Sequence, residues 1–242
     1  MSRQAQAMLL FLIGGSVLRA GLTDAYLRYV KAGLRPLLLV AGVVLVVAAA
    51  ATAWYDLKRA RARKNQPDGA RRERPGHAHR EPWISWLLLL PLFALVLVAP
   101  PALGSYAASR AGTALQQPPR FAALPAGDPL PLTVADYASR AVYDHGRSLA
   151  DRRITITGFI GIGRGGTPYL VRMRLSCCAA DAQPVKVGLT GNVPPVLQPD
   201  TWFEITGTYT DKQTTDDING RPIPFITVIR YRPVPAPRNE YE

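Results

Sequence analysis

Two uncharged runs on either side of a basic loop constrain this chain more than any motif in it. Residues 37–55 and 84–104 contain no Asp, Glu, Lys or Arg. At about 1.5 Å rise per residue, a helix of roughly nineteen residues covers about 28 Å, close to the hydrocarbon thickness of a bilayer. Between the runs, residues 56–82 carry nine Lys and Arg against four Asp and Glu. Basic residues near the ends of spanning helices are retained in the cytoplasm, so loop 56–82 is expected there. The run 84–104 then leads outward and places the C-terminal half outside the cytoplasm. Trp54 and Tyr55 on one flank of the loop, and Trp83 and Trp86 on the other, fit an interfacial aromatic belt.

A third helix is expected over about 5–27, which makes residues 1–104 a transmembrane region of three helices with a cytoplasmic N-terminus. Residues 5–18 are apolar but short, and extension to Leu27 brings in Arg19 and Asp24, with Arg28 four residues beyond Asp24. These charges read either as outer turns meeting headgroups or as a polar seam facing a partner helix. Residues 28–35 fall outside the cytoplasm in this topology. The chain therefore reads as a multi-pass protein of the cell membrane in contact with lipid.

The charge balance separates the halves. Residues 1–104 hold 14 Lys and Arg against 5 Asp and Glu, whereas 105–242 hold 15 against 12. The net charge of +12 is thus mainly a membrane-flank property, and no nucleic-acid partner is expected. Residues 105–131, rich in Ala and Pro, read as a linker. Thr133 and Asp136 have the spacing of a helix N-terminal box, and Val134, Tyr137, Ala138, Ala141 and Val142 recur at helical spacing up to about Gly146. The period then changes to two. Runs at 154–161, 169–175, 185–189, 202–206 and 225–230 alternate apolar and polar residues and are separated by Gly- and Pro-containing turns. Five short strands after one helix predict a mainly-β domain over 132–235, an OB-like small barrel, with residues 236–242 as a tail. A β-sandwich is the alternative. Gly158 or Gly161 suits the sharp bend of a barrel strand.

The chemistry of this half centres on residues 176–182, SCCAADA. Cys177, Cys178 and Asp181 offer two soft thiolates and a carboxylate, a donor set for a zinc-like transition metal ion. His145 is a further candidate ligand. Two other readings stand beside this one: core packing of one cysteine, or a vicinal disulfide in an oxidising compartment. Arg172 and Arg174 share a strand face and are candidate partner- or ligand-binding residues. His77 and His79 in the basic loop form a weaker metal-binding pair. No nucleophile elbow, phosphate loop, HExxH or carboxylate dyad occurs, so the chain is not expected to be an enzyme.

Residues 27–36 (LRYVKAGLRP), 86–92 (WLLLLPL) and 174–182 (RLSCCAADA) resemble the YcgQ-like family of bacterial membrane proteins, described as the small subunit of a two-component permease. The likeness runs along nearly the whole chain, and its most specific part is the Cys-Cys-Ala-Ala-Asp-Ala run. It implies a larger multi-span permease as partner, with this chain supplying an outward domain, and a link to metal-ion handling. Family members carry a His-rich loop before the third span, which here retains only His77 and His79. The alternative function is a membrane-anchored metal-binding or thiol-redox protein.

Overall fold

A computed structural model of the protein describes residues 3–64 and 101–242. They belong to two units: helices within Met1–Tyr26 and Gly33–Pro101, and a β unit made of Leu27–Ala32 and Ala102–Glu242.

In the helical unit, α1 (Arg3–Leu22) packs against α2 (Arg35–Lys64). Small residues let the backbones approach. A Cβ on Gly14 would lie 2.9 Å from Leu45 Cβ, and one on Gly42 would lie 2.8 Å from Leu18 Cγ. The Arg35 Nε–H donates to the Gly21 carbonyl at 3.0 Å and so satisfies one of the open carbonyls at the end of α1. Phe11, Leu37, Val40, Val44 and Val47 are exposed, an apolar outer face suited to hydrocarbon. Ala32–Arg59 is the stretch, among the described residues, long and apolar enough to cross a membrane, with a mean hydropathy of 2.5; the apolar part of α1, Gln6–Leu22, is shorter.

The first helix does not reach residue 27. It stops at Leu22, where the Thr23 backbone N–H and hydroxyl both donate to the Arg19 carbonyl, and Asp24–Arg28 follows as a 3-10 turn. Asp24 therefore lies beyond α1, not inside it. The second helix outruns its expected end at residue 55, with Lys58 and Arg59 folded back over the rings of Trp54 and Tyr55 at 5.5 and 4.8 Å. Residues 84–100 of the expected third span, most of loop 56–82, and His77 and His79 lie outside the described residues; the far end of that span is not helical but part of the β unit, where the Leu103 N–H donates to the Tyr241 hydroxyl at 2.9 Å.

The β unit opens with a short helix, α3 (Ser105–Arg110), which packs on the sheet, and a short strand, β1 (Leu130–Pro131). Helix α4 (Val134–Tyr143) comes next, followed by β2 (Ile154–Ile162), β3 (Pro168–Arg174), β4 (Gln183–Gly191), β5 (Trp202–Thr215) and β6 (Pro222–Pro233). The five long strands pair in the order β2-β3-β4-β6-β5, and β2 also pairs with β5, which closes a barrel. All of these pairings are antiparallel except β4–β6. Closure with this order gives the OB-type small barrel expected from the strand pattern. Gly158 permits the tight crossing of β2 and β3, since a Cβ there would meet the Val171 carbonyl oxygen at 2.6 Å.

The barrel interior holds Ile154, Ile156, Ile160, Leu170, Val185, Val187, Ile205 and Ile226, joined by the apolar side of α4. Thr133 caps that helix by accepting the Asp136 N–H at 3.0 Å. Tyr137 is fully buried, and its hydroxyl donates to the Phe225 carbonyl at 2.6 Å. A second core lies outside the barrel, where Val171, Met173 and Leu175 pack with Ala108, Phe159, Trp202 and Tyr241.

That second core corrects two boundaries. Residues 105–131 are not a spacer, because Ala108, Thr113, Leu115 and Leu130 are almost fully buried. Nor is 236–242 a loose tail. The Glu242 N–H donates to the Met173 carbonyl at 2.9 Å, and its own carbonyl accepts from Leu175 at 3.0 Å. Both segments cover apolar residues on the outer face of β2 and β3, which an isolated strand would leave exposed.

Candidate functional site

Strand β3 ends at Arg174, and the chain then bends through Ser176 and Cys177 before a 3-10 turn, Ala179–Asp181, returns it to β4. Asp181 organises this bend. Its Oδ1 accepts the Ser176 N–H at 2.9 Å, and its Oδ2 accepts those of Cys177 at 2.8 Å and Cys178 at 3.4 Å. The Cys178 side chain in turn caps the Asp181 N–H. Three successive donors converging on one carboxylate remove the alternation that would have turned the two cysteines to opposite sides. As a result, the ligand atoms of Cys177, Cys178 and Asp181 all lie within 4.8 Å of one another.

Both cysteines are free thiols, Cys177 exposed and Cys178 half-buried, and neither belongs to either core. The core-packing reading is thereby overturned. The Cys177 thiol donates to Asp181, and this hydrogen bond, with a further contribution from Cys178, pushes its pKa up to about 11. The same thiol hydrogen bond, followed by the backbone donors, holds the Asp181 carboxyl down at about 2. At neutral pH the pair is a carboxylate and a protonated thiol. Cys177 is therefore a poor free nucleophile, and a metal ion must displace its proton in order to bind.

The trio fits such an ion. Tetrahedral zinc with bonds of about 2.3 Å to sulfur would set neighbouring ligand atoms roughly 3.7 Å apart, so atoms lying within 4.8 Å of one another need at most about 1 Å of contraction. Three protein ligands would leave one position of a tetrahedral ion open. His145 stands in the left-handed turn after α4, with φ of 52°, and is not part of the cluster.

The loop is pinned from a distant part of the sequence. The Ala179 N–H donates to the Tyr29 carbonyl at 2.7 Å, and the Lys31 N–H to the Cys177 carbonyl at 3.0 Å, forming an antiparallel bridge between Val30 and Cys178. The Tyr241 hydroxyl donates to the Arg28 carbonyl at 3.2 Å. Residues 27–32, which precede α2, are thus a short strap across the cysteine loop. Backbone pairing of this kind leaves no mark in composition, so sequence reasoning missed it.

Arg172 and Arg174 part company. Arg174 is exposed, whereas Arg172 is buried and does not present its guanidinium to a ligand face. The Arg172 guanidinium lies 4.7 Å from the Trp202 ring centroid and donates through Nη2 to the Asn239 carbonyl at 2.8 Å. Burial lowers its pKa, and Glu242, whose carboxylate is 3.7 Å from Nε, opposes that shift. The Glu242 carboxylate also accepts the first N–H groups of α4, from Val134 and Ala135, at 2.9 and 3.0 Å. Burial nevertheless pushes its own pKa up.

OB barrels take oligomeric ligands on their second and third strands, between the loops joining strands one to two and four to five. Here that surface is filled by the chain itself. Lys186 on β4 donates to the Ala111 carbonyl at 2.9 Å and pairs with Asp216 at 2.8 Å, and Asp216 also accepts the Thr113 N–H at 3.0 Å. The remaining cavity there measures about 20 Å³.

Fold and site together define an OB-type barrel, preceded in the chain by apolar helices, with a two-thiol, one-carboxylate loop. Residues 124–242 match the family model described as the DUF1980 C-terminal domain, and the YcgQ-like resemblance is consistent with that match. No curated protein and no solved structure matches the chain.

Proposed function

We propose that the chain is a membrane-anchored accessory subunit of a transport complex, whose outward barrel captures a thiophilic metal ion at Cys177, Cys178 and Asp181 for a larger multi-span permease. The observation that carries this reading is the convergence of three ligand atoms on a loop hydrogen bonded to the segment entering α2. When bound, the ion supplies Lewis acidity and a fixed positive charge. The chain's own part is to hold the two sulfurs together through Asp181 and to give up the Cys177 proton.

The strap supports the topology. Residues 27–32 pair with the barrel's cysteine loop, which supports placing them on the barrel's side of the membrane. If α2 crosses, its basic C-terminal end lies on the opposite side, where the charge rule wants it. The chain must then cross back before the barrel, and the part of the uncharged run that precedes Ala102, where the β unit begins, is suited to that crossing. The filled OB face argues against a nucleic-acid ligand, and the protonated state of Cys177 against a thiol-redox role.

Purification of the full chain from its native membrane in mild detergent tests the reading. A multi-span protein and a bound metal ion are expected to co-purify, with the metal lost in a Cys177→Ser, Cys178→Ser variant. A lone, metal-free chain overturns it.

A further inference from the structure

Beside the cysteine loop, a cleft of about 220 Å³ is lined by Lys31, Gln116, Arg174, Ser176, Asp181 and Gln183, with Ala114 and Leu175 at its apolar edges. It is assembled from three remote stretches: the strap, the segment after α3, and the β3–β4 connection. Lys31 and Arg174 are exposed, and among the described residues neither is paired with a carboxylate. The one acid in the wall, Asp181, already spends both oxygens on the backbone N–H groups of residues 176–178. Glu242, which Arg174 influences electrostatically, is committed to the first turn of α4.

We infer that this cleft is a binding site for the phosphate or carboxylate group of a small anion. Arg174 offers a planar fork that matches either group, and Lys31 adds a compact charge to the same lining. Gln116 and Gln183 supply neutral amide donors that orient the group. The volume corresponds to several water molecules at about 30 Å³ each, enough for a tetrahedral oxyanion. Two unpaired cations held in one concave site raise the local anion concentration more than either would on an open surface. The inference does not depend on metal at the cysteines, because Lys31 and Arg174 are placed by backbone hydrogen bonds and strand pairing.

The test uses the full chain in neutral detergent, titrated calorimetrically with inorganic phosphate and with citrate. It is also incubated with phosphatidylcholine vesicles with or without phosphatidylglycerol. Saturable binding of a free anion identifies a soluble ligand, and binding only to phosphatidylglycerol vesicles identifies a lipid headgroup; either outcome supports the site. Lys31→Gln and Arg174→Gln should each weaken binding at least about tenfold, as expected for a lost charge-assisted hydrogen bond, and Arg174→Lys by less. The Cys177→Ser, Cys178→Ser variant should keep anion binding, so failure of the metal reading is told apart from failure of this one. The inference is overturned if no probe binds saturably up to about 10 mM. It is equally overturned if Arg232→Gln, at an exposed position near the end of β6, weakens binding as much as Arg174→Gln.

Discussion

The Asp181 carboxylate holds Cys177 by two of its hydrogens at once: the backbone N–H, 2.8 Å from Oδ2, and the thiol S–H. One acid therefore sets both the shape of the loop and the protonation of its exposed sulfur.

Replacing Asp181 with Asn removes the negative charge that keeps Cys177 protonated. Its pKa should fall from about 11 toward the ordinary thiol value of about 8.5. Alkylation of Cys177 by iodoacetamide at pH 8, in a Cys178→Ser background, should then accelerate about tenfold or more, allowing for the lower intrinsic nucleophilicity of a less basic thiolate. An unchanged rate would show that Asp181 does not govern the thiol.

Metal affinity should climb with pH. Each thiol proton displaced contributes about a tenfold gain in apparent affinity per pH unit, as long as the pH stays below the pKa of that thiol. For Cys177 the rise extends to about pH 11, well past the range of an ordinary cysteine. Competition with a chromogenic zinc chelator at pH 6, 7 and 8 measures it, and a flat profile would mean that the ion does not bind through Cys177.

Acid should loosen the loop late. The Asp181 pKa is lowered on folding to about 2, so its contribution is fully present above the unfolded value of about 3.9 and is lost as pH falls through about 2. Hydrogen exchange of the Ser176 and Cys177 amides, which bond to this carboxylate, should stay protected at pH 4. In Asp181→Asn that protection should be lost at every pH.

Much of the barrel was legible because its signals are local. The Thr133 cap, the helical spacing through Ala141 and the period-two runs each depend on neighbours within a few residues, and all reappear in the structure. Strand β5 continues past the apolar run 202–206 to Thr215, because its mostly polar outer half is held by backbone pairing with β6, which residue alternation does not signal. The cysteine loop was recognisable from residue types, yet its geometry depends on Asp181 reaching back to three amides. The strap, the filled OB face and the burial of Arg172 all join residues far apart in the chain. Arg172 alternates as a surface residue should, and only the remote Trp202, Asn239 and Glu242 explain its burial.

The Lys186–Asp216 pair fastens residues 111–113 to the barrel. Burial pushes the Asp216 pKa up, but the Lys186 ammonium and the N–H groups of Ile218 and Thr113 outweigh that and hold it below the ordinary value. Lys186→Met should leave a buried carboxylate without its cation and cost about 3–5 kcal/mol, with much of the loss recovered in Lys186→Met, Asp216→Leu. Thermal unfolding of the full chain in detergent reads both. A single variant as stable as the parent would show that the pair does not hold the segment.

The strap can be captured covalently. The hydrogen bonds from Lys31 to Cys177 and from Ala179 to Tyr29 flank Val30 and Cys178 without joining them directly. In an antiparallel ladder this is the closer type of pair, with Cα atoms about 4.5 Å apart, inside the range a disulfide spans. A Val30→Cys, Cys177→Ser chain should therefore close a Val30–Cys178 crosslink under mild oxidation in native membranes, visible as a mobility shift reversed by reductant. Moving the new cysteine to Ala32 should abolish it, because that position lies two residues further along the chain. An equal yield from both positions would mean that residues 27–32 are not held in this register. The strap could not then carry the argument that the barrel and the start of α2 share one side of the membrane.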